Sequence, residues 1–157
     1  MAKKFESTER FLQPDPRYNS KLVAKFINCM MHCGNKTAAE KTFYDAMDVV
    51  RERMQGQELL EVFNTAITNL KPMVEVRSKR VGGANYQVPV EVNKRRQQAL
   101  AFRWLLEVAR KRKGKATSQR LAEEIMLASR REGEAMTTRE NVHRMAEANK
   151  AFAHFAW

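Results

Sequence analysis

The amino-acid sequence predicts a mainly α protein, a six-helix domain with a protruding two-stranded β-hairpin between the third and fourth helices. Apolar residues recur at intervals of three and four through most of the chain, the spacing of helix faces turned toward one core. Between residues 73 and 92 the period changes to alternation around Gly82-Gly83, a hairpin pattern. Gly34, Gly56, Pro72, Gly114 and Gly133 fall between the periodic stretches and divide them into helices of ordinary length. At 157 residues, 43% hydrophobic and 30% charged, the chain is expected to fold as a single water-soluble domain spanning 1–157.

Residues 1–19 carry Pro14 and Pro16 with mixed charges and no period, so they are expected to form an irregular arm that orders against a partner. Ser20 is placed to cap a first helix whose inward face is Val23, Phe26, Ile27 and Met30, ending by Gly34. A second helix follows with Ala39, Phe43, Ala46, Met47, Val50 and Met54 in one stripe. Beyond Gly56 a third carries Leu59, Leu60, Phe63, Ile67 and Leu70 until Pro72 stops it. In the hairpin, Val74 set opposite Val92, Val76 opposite Val90 and Ser78 opposite Val88 leaves Gly82-Gly83-Ala84 as a three-residue tip. That register puts Arg77, Lys79 and Gln87 on the face away from the valines. Two strands alone are marginally stable, so the hairpin should lean on the helices at its base and offer its tip as a contact element.

Asn93 is placed to cap a fourth helix running to about Lys113. Leu100, Ala101, Phe102, Trp104, Leu105, Leu106, Val108 and Ala109 cover about two-thirds of its circumference and leave a narrow stripe of Arg96, Arg103 and Arg110. Sevenfold spacing aligns those arginines over about 21 Å at 1.5 Å per residue, with Glu107 placed to pair with Arg103 and Arg110. A fifth helix from about Ser118 turns Leu121, Ile125 and Ala128 inward and ends at Gly133. Thr137 with Glu140 three residues later has the form of a capping box opening a sixth helix, with Val142, Met145, Ala146 and Phe152 inward.

Charge supplies the functional signal. The net charge is +11 and the pI about 10, which favours an anionic polymer or surface as partner. Residues 1–70 hold 10 basic and 9 acidic side chains and residues 116–157 hold 6 and 6, whereas residues 71–115 hold 13 and 3. A charge needed only for solubility would be spread over the surface, so this one segment is the first functional candidate. Its clusters are Arg77, Lys79 and Arg80 on the hairpin, Lys94-Arg95-Arg96 opening the fourth helix, and Arg110-Lys111-Arg112-Lys113 with Lys115 closing it. The repeated arginines favour phosphate, because a guanidinium fork holds two oxygens at once. The plain alternative, a solvated basic face, does not account for the near absence of acids from this stretch alone. Tyr86 near the tip and Trp157 have ring faces suited to base stacking or to local packing.

Other chemistry finds little support. Cys29, His32 and Cys33 cluster but lack the fourth ligand of a tetrahedral metal site, and no metal or other cofactor is expected. Two cysteines four apart on one helix fit a reducing compartment. His143 and His154 stand apart from any acid or nucleophile, so no enzyme is expected. Gly34-Asn35-Lys36-Thr37 lacks the glycine spacing of a nucleotide cradle but can offer helix N-terminal amides and Lys36 to one backbone phosphate. The charged N-terminal residues predict no secretory leader, and no apolar run approaches the ~18 residues of a membrane span, so a cytoplasmic protein with no membrane partner is expected. The competing function is a sequence-nonspecific helical DNA-binding regulator, which would need the Arg96-Arg103-Arg110 helix largely exposed.

The stretch from Val74 through Gly83, VEVRSKRVGG, continuing as Tyr86-Gln87-Val88-Pro89-Val90-Glu91-Val92, resembles the signature hairpin of the ribosomal small-subunit protein seven family, of bacterial type. Residues 142–154, VHRMAEANKAFAH, resemble its C-terminal pattern, and Asp15-Pro16, Phe26-Ile27-Asn28 and Ala101-Phe102-Arg103-Trp104 fit as well. The resemblance implies a ribosomal, cytoplasmic protein that binds the 3′ major domain of small-subunit rRNA and organises head assembly. Its hairpin would reach mRNA and tRNA at the exit site, and its neighbours would be proteins of the head and platform. Residue by residue, it implies RNA contacts at Lys3, Lys4, Arg10 and Arg17 of the arm, at Lys36, and at Arg77, Lys79 and Arg80, to which the reading of the hairpin tip adds Gly82, Gly83 and Tyr86. Further contacts are implied at Lys94, Arg95 and Arg96, and at Thr117 in the loop after the fourth helix. The basic segment adds Arg103, Arg110, Lys111, Arg112, Lys113 and Lys115. The chain departs from the family pattern at Asn35, usually a second lysine, and at Phe155-Ala156, usually a Tyr-Arg pair.

Overall fold

A computed structural model describes residues 11–155. In chain order the elements are α1 (Lys21–Met30), α2 (Lys36–Arg53), α3 (Leu59–Leu70), β1 (Val74–Val81), β2 (Ala84–Glu91), α4 (Lys94–Lys111), α5 (Thr117–Ser129), α6 (Glu134–Ala148) and a 3-10 helix (Lys150–Phe155). The mainly helical class, with a hairpin between α3 and α4, agrees with the sequence. The first three helices and their inward residues also agree, and two of the three predicted side-chain caps form. Ser20 Oγ accepts from the Val23 N–H and Asn93 Oδ1 from the Arg96 N–H.

The core is organised around one phenylalanine from each of the first four helices. Phe26 of α1 stands 5.7 Å from Phe43, 5.3 Å from Phe63 and 5.2 Å from Phe102 between ring centroids, and all four side chains are fully buried. Tilted and edge-on packing of this kind matches ring quadrupoles as well as burying area. Around it α5 packs against α2, α3, α4 and α6, with Leu121, Ala122, Ile125 and Ala128 inside. A smaller cluster of Val92, Leu100 and Trp104, with Val142 against it, joins the hairpin's end and α4 to α6.

Three sequence expectations need correction. Residues 11–19, expected to need a partner, are fastened by the chain itself. Buried Asp15 accepts from the backbone N–H groups of Arg17 and Tyr18 and, at 2.7 Å, from the Tyr44 hydroxyl of α2. The sixth helix opens at Gly133 and not at Thr137. Thr137 lies within the first turn and its hydroxyl donates back to the Gly133 carbonyl, while Met145, expected inside, is half exposed. The cap comes from another helix. Fully buried Glu124 of α5 accepts from the Ala135 N–H at 2.9 Å, and its other oxygen lies 2.8 Å from the Arg112 guanidinium. A single-segment motif search has no access to a cap supplied across a tertiary contact.

The hairpin register is one residue away from the predicted one. Val74 lies opposite Glu91, Val76 opposite Pro89, Ser78 opposite Gln87 and Val81 opposite Ala84. The turn is the two-residue Gly82-Gly83, with φ of 58° and 89° at the two glycines, the left-handed pair that a tight hairpin turn requires. A one-residue slip exchanges the faces. Glu75, Arg77 and Lys79 therefore share a face with Val90, Val88 and Tyr86, and on it Val88 and Glu75 are buried. With Val81 and Ala84 closing the turn, hydrogen-bonded pairs alternate and Val76 with Pro89 falls at a non-bonded pair, where a missing N–H costs the ladder nothing. The Met73 N–H donates to His143 Nε2 at 3.2 Å, tying the hairpin root to α6.

At Gly133, φ is +98° and an added Cβ would lie 2.7 Å from Glu124 Oε1. Gly133→Ala is expected to lower the unfolding free energy by about 2–3 kcal/mol in chemical denaturation, combining left-handed strain with displacement of a buried carboxylate. A loss below the scatter between replicate curves would show that neither effect operates. Burial, with Arg139 nearby, holds the His143 imidazole below its ordinary value of 6.5. The unfolded chain then takes up the proton first, so the stability from this acceptor is complete above about pH 6.5 and is lost as pH falls through that value. Melting temperatures from pH 7.5 to 5.5 should fall more steeply for the unaltered protein than for His143→Gln, whose neutral amide does not titrate; parallel curves would refute the assignment.

Candidate nucleic-acid interface

The basic side chains divide into those the fold uses and those it leaves open. Arg17 grips Asp48 through both terminal nitrogens, at 2.5 and 3.3 Å, and lies over the Tyr18 and Tyr44 rings. The Asp48 hydrogen bond raises its pKa further, so much of this cation's donor capacity goes to holding the arm on α2. Lys3, Lys4 and Arg10, with Trp157, lie outside the described residues. Arg112 is committed to Glu124, with Glu134 at 3.9 Å, and Lys115 is paired with Glu123 at 2.5 Å. Glu123 is held below the usual carboxylate range, chiefly by the Lys115 hydrogen bond.

On the hairpin, Lys79 donates to the Phe155 carbonyl at 2.8 Å, and Tyr86 packs 5.2 Å from both Phe152 and Phe155. The inner face thus rests on the 3-10 helix, and the Tyr86 ring, read from sequence as suited to stacking or packing, is packed. Arg80 and the exposed Gly82-Gly83 tip project beyond that support. Arg77 and Arg96 converge on one carboxylate, Glu75, at 2.5 and 3.1 Å. Arg80, Lys94, Arg103, Lys111 and Lys113 are exposed and meet no partner among the described residues. Arg95 is exposed on the first turn of α4. The Glu107 pairing with Arg103 and Arg110 is not among the ion pairs of the described residues.

At the other end of α4, Arg110 donates to the Met30 carbonyl at 2.9 Å, bringing the ends of α1 and α4 together. Arg110 and Thr117 line one open cleft of about 530 Å³ with Met30, His32, Asn35 and Ala38. Lys36 stands at the first position of α2 beside it, 3.6 Å from Glu40. Asn35 caps α2 by accepting from the Ala38 N–H at 3.1 Å. The cleft therefore combines the N-terminus of α2 with one cation from another element, Arg110 of α4, a setting that suits an anion.

Sequence reasoning missed Glu75, Glu124 and Arg120. Arg120 donates to the carbonyls of Arg110 and Arg112 and to the Thr117 hydroxyl, closing the end of α4. The available signal was the rarity of acids in 71–115, where an alternating strand position occupied by Glu75 invites a cationic partner. Among the described residues no three His, Cys, Asp or Glu side chains are grouped to hold a metal, and no helix is long and apolar enough to cross a membrane.

Known proteins resemble this chain along nearly its whole length. Residues 2–150 match the family described as Ribosomal protein S7p/S5e. A small ribosomal subunit protein uS7 of Rhodopirellula baltica is 56% identical over 144 residues, covering 91% of this chain and 92% of its own. The protein of the same name from Idiomarina loihiensis is 55% identical over 149 residues, 95% of each chain, and that of Desulfotalea psychrophila 50% identical over all 157 residues of both. With half or more of its residues shared along essentially the full length of such relatives, this chain belongs to the ribosomal protein S7p/S5e family.

Proposed function

We propose that this protein is a structural constituent of the small ribosomal subunit that acts without catalysing a reaction. In this reading it is the primary binder of the 3′ major domain of small-subunit rRNA and nucleates head assembly. Its hairpin tip lies near mRNA and tRNA at the exit site, and its protein neighbours belong to the head and platform. The observation that carries the reading is the set of uncommitted cations, Arg80, Lys94, Arg103, Lys111 and Lys113, in one segment of a chain of this family. Phosphate neutralisation supplies affinity, and shape with unpaired bases of a folded junction supplies specificity. The DNA-regulator reading is disfavoured because α4 buries eight side chains, from Leu100 to Ala109, and presents only a stripe, too little to seat in a major groove.

Filter binding to a junction transcript of the 3′ major domain, with scrambled RNA and duplex DNA of equal length as competitors, tests the proposal. The junction should win by about a hundredfold or more, and equal competition by all three would reduce the basic segment to a nonspecific patch. The Arg80→Ala, Lys94→Ala, Arg103→Ala triple variant should keep its melting temperature within a few degrees and lower the slope of log K against log salt by about two to three. Arg112→Ala should behave in the opposite way. It leaves Glu124 buried without its cation, so about 3 kcal/mol of stability is expected to go while the salt slope of the folded fraction changes by less than one.

A further inference from the structure

We propose that Glu75 is a positioning residue for RNA recognition. Its buried carboxylate holds Arg77 of β1 and Arg96 of α4 side by side, so that their remaining N–H groups form a prearranged clamp for backbone phosphate. The inference rests on the rRNA-binding reading and assigns a role within it to an acidic side chain.

Residues 71–115 contain three acids, and two of them, Glu91 and Glu107, are exposed and have no ion pair among the described residues. Glu75 differs from both: it is 7% exposed. Its Oε1 takes the Arg77 Nε–H at 2.6 Å and lies 2.5 Å from Arg77 Nη2, while its Oε2 takes the Arg96 Nε–H at 3.1 Å. A guanidinium has five N–H donors. Arg96 thus keeps both terminal nitrogens and Arg77 keeps Nη1, on side chains that remain 39% and 50% exposed. The backbone beneath Arg96 is held as well, by the Asn93 cap.

An acid in a surface that meets a polyanion weakens long-range attraction, so a buried one there is explained by a compensating use. Fixing two long side chains before binding removes part of the rotamer entropy they would otherwise lose on contact. It also sets the spacing of the two forks, which point charges on mobile stems cannot do. Burial pushes the Glu75 carboxyl up, but the hydrogen bonds from Arg77 and Arg96 outweigh it and hold the group below its usual value, so the carboxylate is ionised at neutral pH.

The test compares full-length protein with Glu75→Gln, with Arg77→Ala/Arg96→Ala, and with all three changes. Binding is measured to the junction transcript and to scrambled RNA. Glu75→Gln should lower the junction-to-scrambled affinity ratio about tenfold, mostly by loss on the junction, and should add nothing in the double-alanine background. Tighter binding of both RNAs by equal factors would show Glu75 to be only a repelling charge and would overturn the proposal. So would an unchanged ratio, or the same loss without the two arginines. If the unaltered protein itself does not prefer the junction, the rRNA reading falls and this inference with it. Side-chain NMR of the free, unaltered protein gives a readout independent of both RNA and the variants' folding. The Arg77 and Arg96 Nε–H groups should exchange more slowly and be more ordered than that of Arg80, and equal mobility would overturn the proposal.

Discussion

Four phenylalanine rings meeting at the centre, one from each of α1 to α4, are the constraint on which the remaining structure depends. Phe26 touches the other three, so the first two helices, the third and α4 cannot shift independently. Seating α4 in that cluster by Phe102, with Leu105 beneath it, turns most of its circumference inward. What remains outside is the arginine stripe and the two charged ends. The basic surface is thus a consequence of core packing, because the helix that carries it has no other face to present.

Among the described residues the buried acids are Asp15, Glu75 and Glu124, and each stands at a junction between elements. Asp15 holds the arm on α2, Glu75 joins the hairpin to α4, and Glu124 joins the end of α4 to the start of α6. In a chain of net charge +11, carboxylates placed inside serve as fasteners while the cations outside stay available to a polyanion. Such buried groups are tolerable only when paired, and each of these has N–H donors, a hydroxyl or a guanidinium beside it. Arg112, which serves Glu124, is thereby turned inward, whereas Arg77 and Arg96 keep N–H groups free beside Glu75. Counting basic residues along the sequence therefore overstates the number left unpaired by the fold.

The hairpin shows how a small local difference changes a functional reading. A three-residue tip would have pointed Arg77 and Lys79 away from the protein. The two-residue Gly82-Gly83 turn points them with Tyr86 and Val88 toward α6 and the 3-10 helix, where Lys79 and Tyr86 find partners in Phe155 and Phe152. Proline at position 89 and paired glycines together indicate the observed register, since the turn then needs two left-handed residues and the ladder tolerates the missing N–H.

By itself the sequence determined the first five helices and their inward faces, the existence of the hairpin, the caps at Ser20 and Asn93, and the concentration of positive charge between 71 and 115. These are set by periodicity, turn chemistry and composition within a few residues of one another. Only the tertiary structure decided which cations are free, which face of the hairpin is supported, where α6 begins, and that Glu75, Arg120 and Glu124 matter. Most of those depend on partners 10 to 80 residues apart in the chain, such as Arg110 with Met30 or Lys79 with Phe155, whose meeting is set by how the helices pack and by no local spacing.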